Sequence, residues 1–453
     1  MPKKAPSPTT LPRERAFLAG VEIQGMRSAL SLDDSLSELS LLAETAGLDV
    51  VGQVTQKLLK PHPDTLIGSG KVEELKALAE DSLAQVVVFD DELNPRHQRE
   101  LETVLGNSIR VLDRTAVILD IFAQHAQTSE GQLQVKLAQY EYYLPRLTGK
   151  WTHLARQAGG GGGRTGSTGG VGLRGPGETQ LEVDRRAIRR EISHLKEELE
   201  KVRAHRQRYR LQRKRSRIPT IALVGYTNAG KSTLLNALTR SNVLVADQLF
   251  ATLDPTTRRC VLPRGNQVLL TDTVGFIQKL PTTLVAAFRA TLEEIAEADL
   301  LLHVVDISHT NAMSQANAVQ QTLVEIHAEH VPVITVLNKI DRLADPEQAQ
   351  KSLAPFPDSV GISALKGRGI DDLTNRINEL LFEQYLPCIV RLPYKEGQLL
   401  SLYHEFGQIE RIEHGRKSVY LQGRIPGRLL AQFSNWQATA AAITEEEDAE
   451  MVE

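Results

Sequence analysis

The sequence predicts an α/β protein of several parts: an N-terminal α/β domain, a helical hairpin, a phosphate-loop domain on a doubly wound, mostly parallel sheet, and a small C-terminal α+β domain. Three observations carry this expectation. Short apolar runs alternate with helix-like segments in two separate stretches. A run of glycines interrupts an otherwise helical region between those stretches. In the second stretch, an apolar run leads through a G-x-x-x-x-G-K-S loop into a helical pattern. The 453 residues allow two to four domains, at roughly 100–200 residues each.

Composition excludes several classes. With 41% hydrophobic and 24% charged residues the chain is an ordinary globular protein. No apolar run approaches the roughly 20 residues needed to cross a bilayer, and no apolar stretch follows the basic start to make a secretory signal. Cys260 and Cys388 are the two cysteines, too few for a disulfide framework or a cysteine zinc site, which points to a reducing cytoplasm.

The expected organisation is a disordered start over 1–17, an α/β domain over 18–128, a hairpin with a basic glycine-rich loop over 129–217, a nucleotide domain over 218–386, a C-terminal domain over 387–437 and an acidic tail over 438–453. In the first domain the strand-like runs are AFLAGVEI, DVVGQVTQ, QVVVFDDEL and IRVLD, with helical segments such as SELSLLAETAG and KVEELKALAEDSL between them. The hairpin opens with GQLQVKLAQYEYYLPRL. Eleven of the nineteen residues from Gly159 to Gly177 are glycine, which no packed element tolerates. A long helical run follows, with Ile188, Ile192, Leu195, Leu199 and Val202 at coiled-coil-like spacing. The nucleotide domain alternates again: TIALVG, QVLLTDTV, ADLLLHVVDIS, PVITVLNK and SVGISA are its strand-like runs. Two or three strands and two helices complete the C-terminal domain, and six acids in the last nine residues end the chain.

The chemistry begins at Gly225, Tyr226, Thr227, Asn228, Ala229, Gly230, Lys231 and Ser232, a phosphate loop between strand and helix. Its backbone amides suit a β-phosphate at a helix N-terminus, Lys231 the β- and γ-phosphates, and the Ser232 hydroxyl Mg²⁺. Asp272, Thr273, Val274 and Gly275 end a later strand, where the carboxylate suits magnesium through water and Gly275 the γ-phosphate. Asn338, Lys339, Ile340 and Asp341 end another; a carboxylate at Asp341 can accept from the guanine N1–H and 2-amino donors that adenine lacks. Ser363, Ala364 and Leu365 can present a backbone amide to the guanine carbonyl. Each tetrapeptide is weak alone, but all four in order on strand ends define a guanine-nucleotide site. Phe250, Ala251, Thr252, Leu253 and Asp254 lie where a switch loop must close, with Thr252 the choice for the second magnesium hydroxyl and Thr256 and Thr257 competing for that role.

These motifs, together with GGGGGRTGSTGGVGLRGPGETQLEVDRR upstream, resemble the HflX family of translational GTPases, over nearly the whole chain from about Ala16 to Gln437. The resemblance implies a cytoplasmic, Mg²⁺-dependent GTPase that binds GTP and GDP, engages the large (50S) ribosomal subunit and splits or rescues stalled or idle ribosomes. One position departs from Ras-like enzymes. Many of them place a Gln just after the D-x-x-G glycine to orient the attacking water. Here Phe276 stands there, so intrinsic hydrolysis is expected to be slow, the catalytic group is unassigned, and Gln278 would help only after a loop rearrangement. Asn228 sits where similar potassium-activated GTPases carry Asn, so K⁺ is a second candidate cofactor.

The basic span has two readings. From Arg146 to Pro176 there are five basic residues and no acid, and from Arg203 to Arg217 eight and none. A charge run is ordinarily a solvated face and a glycine run a linker. Arg156, Arg164 and Arg174 on a tip of small residues between two helices suit rRNA instead. Tyr140, Tyr142, Tyr143 and Trp151 have the chemistry to stack on bases, but a tyrosine stripe before Pro145 is more often helix packing. GSGK at Gly68–Lys71 is half a phosphate loop, and an N-cap accounts for it; ATP binding at the N-terminal domain, as described for some relatives, is the other reading. A nucleotide-driven RNA remodeller working through the N-terminal domain and a GTP-gated binding module are the alternative functions. Off the ribosome the chain is expected to be monomeric. If the tip grips rRNA, Arg164→Ala with Arg174→Ala weakens subunit binding by about 1–3 kcal/mol and flattens the slope of log K against log salt, leaving GTP affinity unchanged. On the linker reading those changes are silent in a salt-dependent sedimentation assay.

Overall fold

A computed structural model describes residues 13–25, 30–106, 108–147, 180–215, 218–239, 249–250, 252–253, 255–279, 289–343, 356, 359–382, 385–426 and 429–437. Two compact units divide the chain, one of residues 1–261 and 265–373 and the other of residues 262–264 and 374–453.

In the first unit, β1 (Glu14–Ile23), β2 (Leu48–Leu58), β3 (Val86–Phe89) and β4 (Arg110–Asp113) form an all-parallel sheet in the order β2-β1-β3-β4. β3 is buried at every residue, as expected of a parallel strand covered on both faces. Four helices connect and follow these strands: α1 (Leu32–Thr45), α2 (Ser69–Asp81), α3 (Pro95–Leu105) and α4 (Arg114–His125). Ser31, Asn94 and Asp113 cap α1, α3 and α4 by accepting from the amides of Asp34, His97 and Ala116. β1 starts at Glu14, inside the segment expected to be disordered, because it pairs with β2 from Leu48 onward and Glu14 forms an ion pair with Arg110.

The hairpin follows. α5 (Ser129–Tyr143), capped by Thr128, packs against α6 (Gln180–Arg215), 36 residues and so roughly 54 Å long. Leu137, Leu195 and Leu199 are buried between them, with Leu133, Tyr140 and Ile192 alongside. Lys136–Glu191 and Lys196–Glu141 pair across the seam. The tyrosines are used in packing. Tyr142 is buried, its hydroxyl donates to Asp113 Oδ1 at 2.7 Å, and Tyr143 meets its ring edge-on. Trp151 and the arginines at 156, 164 and 174 lie outside the described residues.

A six-stranded sheet forms the nucleotide domain: β5 (Thr220–Gly225), β6 (Thr256–Val261), β7 (Gln267–Asp272), β8 (Leu300–Asp306), β9 (Val333–Asn338) and β10 (Val360–Gly361), in the order β10-β9-β8-β5-β7-β6. All neighbours are parallel except β6, which runs antiparallel to β7 at the edge. α7 (Lys231–Thr239), α8 (Arg289–Ala296) and α9 (Ala312–Glu325) accompany it, and α10 (Ile370–Leu381) runs from the first unit into the second. The run expected to close as a switch loop, Phe250 to Arg258, passes at Thr256 into β6. Its residues TTRRCV show little apolar alternation because an edge strand leaves Arg258 and Arg259 exposed.

The second unit holds an antiparallel sheet of β11 (Tyr385–Pro393), β12 (Gln408–His414) and β13 (Ser418–Pro426) in the order β11-β13-β12, with α11 (Gly397–Phe406) and α12 (Leu430–Phe433). Its core gathers Val390, Leu392, Tyr403, Leu421 and Phe433. No helix among the described residues is long and apolar enough to cross a membrane.

Burial pushes the Asp120 carboxyl on α4 up to about 6, with Arg110 opposing the shift and Glu14 adding to it. An acid held above its ordinary range penalises the fold once it ionises, so the Asp120 contribution to stability is most favourable below about pH 4 and declines as pH rises toward about 6. Asp120→Asn should remove that fall and raise stability at neutral pH by on the order of 1–2 kcal/mol. Urea unfolding at a series of pH values checks this; an unchanged slope in the variant would place the titration elsewhere.

Candidate nucleotide site

Strand β5 delivers the chain into the loop at Gly225, and two glycines there are obligatory. Gly225 has φ +155°, and a Cβ on it would lie 2.3 Å from the Val304 carbonyl. Gly230 has φ +96°, where a Cβ would lie 2.2 Å from Asn338 Nδ2. Asn228 is also left-handed at φ 59°, a conformation that Asn tolerates better than most residues. The loop thus wraps closely around Lys231, whose Nζ donates to the carbonyls of Gly225 at 3.1 Å and Tyr226 at 2.8 Å. Burial lowers this amine to about 8, with Asp272 opposing.

Three oxygen-bearing side chains converge beside it. Ser232 Oγ donates to Asp272 Oδ2 at 2.6 Å, Thr252 Oγ1 donates to the same oxygen at 3.0 Å, and the two hydroxyls lie 2.9 Å apart. Asp272 Oδ1 is buried without a hydrogen-bond partner among the described residues, and burial pushes its carboxyl above the usual range although Lys231 and both hydroxyls act the other way. Two hydroxyls and an under-satisfied buried carboxylate are hard oxygen donors, the kind of set Mg²⁺ takes. Thr257 is committed elsewhere: its hydroxyl shares a hydrogen bond with Thr271 at 3.0 Å within the β6–β7 pair. Thr256 is the first residue of β6, opposite Asp272.

The segment after Asp272 lies directly against the phosphate loop. Thr273 Oγ1 donates to the Leu223 carbonyl at 2.6 Å, and the Val274 side chain is buried. A Cβ on Gly275 would lie 2.7 Å from Thr227 Cγ2 and 3.1 Å from Lys231 Nζ, so no larger residue fits. Phe276 then pairs like a strand: its N–H donates to the Gly225 carbonyl at 3.1 Å, and its carbonyl accepts from Thr227 N–H at 2.8 Å. Thr227 Oγ1 is buried with no partner among the described residues.

At the far end, Asn338 braces the site, donating to the Ala229 carbonyl at 2.9 Å and accepting from the Ala364 amide at 3.0 Å. Lys339, left-handed at φ 67°, donates to the Asn228 carbonyl at 2.8 Å and to Asp306 Oδ2 at 2.6 Å. The Ser363 hydroxyl holds the Asp341 carboxyl below its ordinary range, keeping an ionised acceptor at the loop mouth. Leu365 is exposed. Gly225–Ser232, Thr252, Asp272–Gly275, Asn338–Asp341 and Ser363–Leu365 therefore gather around one loop.

Some residues sit otherwise than the motifs suggest. Phe250 is buried with its ring edge-on to Phe122 of α4 at 4.7 Å, and Leu253 is buried in the same apolar cluster, so both side chains serve packing. Ala251 and Asp254 lie outside the described residues. Asp306, which fixes Lys339, was missed, its only signal being an acid at the end of an apolar strand. Gly68 does begin α2, but its amide donates to Gln56 Oε1, and Lys71 pairs with Glu74.

The guanine assignment of Asp341 makes a sharp prediction. Asp341→Asn should lose about 2–4 kcal/mol of GTP affinity by removing a charge-assisted acceptor, and gain affinity for xanthosine triphosphate, whose 2-carbonyl accepts from the new amide. Titration calorimetry with both nucleotides reads the exchange, and undiminished GTP binding would remove Asp341 from the base pocket.

Comparison with known proteins places the chain among GTPases. Three family models match in succession: one described as GTP-binding GTPase N-terminal over residues 33–123, one as GTP-binding GTPase middle region over 125–213, and one as 50S ribosome-binding GTPase over 220–339. The GTPase HflX of Alkalihalophilus pseudofirmus is 44% identical over 415 residues, spanning 90% of this chain and 93% of that protein. The GTPase HflX of Escherichia coli K12 is 44% identical over 397 residues, spanning 87% and 90%. Among solved structures, the crystal structure of an SsGBP–GDP complex is 26% identical, covers 81% of this chain and 98% of that one, and superposes with a TM-score of 0.45. The chain is a GTP hydrolase, and it belongs to the HflX family of GTPases.

Proposed function

We propose that this GTPase binds the large (50S) ribosomal subunit, hydrolyses GTP slowly alone and rapidly when bound there, and spends the cycle on splitting or rescuing stalled or idle ribosomes. The observation that carries the reading is the state of the residues after Gly275. Phe276 is 2% exposed and lies in the apolar cluster shared with the N-terminal domain, where it can orient no water. Gln278, the nearest amide side chain, is buried and donates to Ser35 Oγ at 2.9 Å. A catalytic arrangement therefore needs the switch to be reordered or a group to be supplied by a partner. A partner made of rRNA suits the basic span, with Arg156, Arg164 and Arg174 as its contacts.

Ser232 and Thr252, with Asp272 beside them, would hold Mg²⁺, which would supply charge neutralisation on the phosphates. Lys231 neutralises charge on the same phosphates, and the Gly275 amide reads the γ-phosphate. Asp341 selects guanine. Asn228, left-handed within the phosphate loop, is the residue that would ligate K⁺, and equal rates in sodium and potassium would dismiss that role.

The proposal is tested with purified 50S subunits and 70S particles. GTP turnover should rise by about 10²-fold or more with saturating subunits, and light scattering of 70S particles should fall with GTP or a non-hydrolysable analogue but not with GDP. Equal turnover with and without subunits would mean an internal catalytic group. Unwinding of free RNA duplexes without 70S dissociation would favour an RNA remodeller.

A further inference from the structure

Arg114, at the first position of α4, is 1% exposed and far in sequence from any nucleotide motif. Its guanidinium donates to Glu38 Oε1 at 2.5 Å, to Asp90 Oδ1 at 2.8 Å and to the Ser35 carbonyl at 3.0 Å, all within the N-terminal domain. It also donates to the carbonyl of Gln278 at 3.4 Å, two residues beyond Phe276. The partners of Arg114 then grip the same segment. Glu38 accepts from the Tyr226 hydroxyl of the phosphate loop, and that hydroxyl accepts from the Gln278 amide at 2.9 Å. Ser35 Oγ accepts from the Gln278 side chain. Asp90 and Asp91 each take Lys279 Nζ at 2.6 Å. The end of the D-x-x-G switch is thus tied to the N-terminal domain through both its backbone and its side chains.

Asp113, the neighbour of Arg114, is buried as deeply and faces the other way. Its Oδ1 accepts from the Tyr142 hydroxyl at 2.7 Å and its Oδ2 from the Leu93 amide at 3.0 Å, with Arg146 Nη2 at 3.5 Å. The Arg146 guanidinium lies over the Tyr142 ring, 3.7 Å from its centroid. Tyr142 and Arg146 stand at the C-terminal end of α5 and the turn after it, the root of the hairpin. The loop after β3 repeats the pattern, with Asp90 and Asp91 toward the switch and Leu93 toward the hairpin root. Two adjacent chain segments therefore each hold the hairpin root at one end and the switch at the other. Buried, hydrogen-bonded charges of this kind have few alternative arrangements, so a shift at one end is resisted or transmitted at the other.

We propose that Arg114 is a positioning residue for GTP hydrolysis, holding the end of the switch from the N-terminal domain, and that with Asp113 it forms a joint through which the hairpin root and the switch constrain each other. The inference rests on the proposed ribosome stimulation only for its functional readout; the mechanical coupling stands by itself.

Full-length protein is used throughout. Replacing Arg114 directly strands Glu38 and Asp90 and risks the fold, so the joint is tested at its ends. Tyr142→Phe deletes one hydroxyl at the hairpin root, and amide hydrogen exchange at residues 276–279 should then quicken by about tenfold. A change confined to the amides near 93, 113–116 and 142–146 would overturn the joint. Ser35→Ala and Lys279→Ala should lower subunit-stimulated kcat by about threefold or more with KM for GTP unchanged, and Lys279→Arg should restore what Lys279→Ala loses. Variants that lose thermal stability yet keep the wild-type kcat would reduce Arg114 to a structural ion pair. Should the wild type show no stimulation by subunits, the proposed function fails, while hydrogen exchange in Tyr142→Phe still decides for or against the joint.

Discussion

A guanidinium buried at Arg114 constrains everything packed around it. Removing such a charge from water costs several kcal/mol, recovered only if carboxylates and carbonyls are held close in good geometry. Glu38, Asp90 and the Ser35 carbonyl meet that demand and so fix α1 and the loop after β3 relative to α4. Asp90 shows the balance: burial works against its ionised form, yet Arg114 and Lys279 hold it below the ordinary carboxylate range. Because the same groups also hold Gln278 and Lys279, the N-terminal domain and the nucleotide domain share one polar centre set in one apolar cluster.

The phosphate loop obeys a different constraint, that of backbone space. Val304 on one side, Asn338 on another and Thr227 beneath Gly275 leave no volume for a Cβ at three glycines. Close approach is what lets loop amides and Lys231 converge on a phosphate. It also forces the D-x-x-G segment to pair with the loop backbone, so any motion of that segment is felt at Gly225 and Thr227.

How much of this was legible in the sequence follows from the same physics. Parallel strands buried on both faces read as apolar runs, and the four nucleotide motifs stand on strand ends, so the sheets and the gathering of Ser232, Thr252, Asp272 and Asn338 could be anticipated. β6 could not, since an exposed edge strand of threonines and arginines carries no apolar signature. The inward turn of Phe250 toward Phe122 was equally hidden, because an aromatic in a switch motif does not announce a partner in another domain. Gln278 and Ser35 are separated by 243 residues, and no local pattern joins them. Asp113 ends the strand-like run IRVLD and Arg114 belongs to no motif; only the packing shows both buried, one bound to Tyr142 and the other to Gln278.

Phe276 joins these strands of argument. A glutamine there would stand in the apolar cluster that also holds Tyr226, Phe250 and Phe122, and a buried amide without partners costs about 1–3 kcal/mol. The phenylalanine instead lets the switch seat against the N-terminal domain while its backbone still pairs with Gly225 and Thr227. Seating the switch and orienting water make incompatible demands on that one side chain, and here the first prevails. On the proposed reading the group that completes hydrolysis is brought by the partner to the seated switch, which makes the contacts of Gln278 and Lys279 with the N-terminal domain part of the control of turnover as well as of the fold.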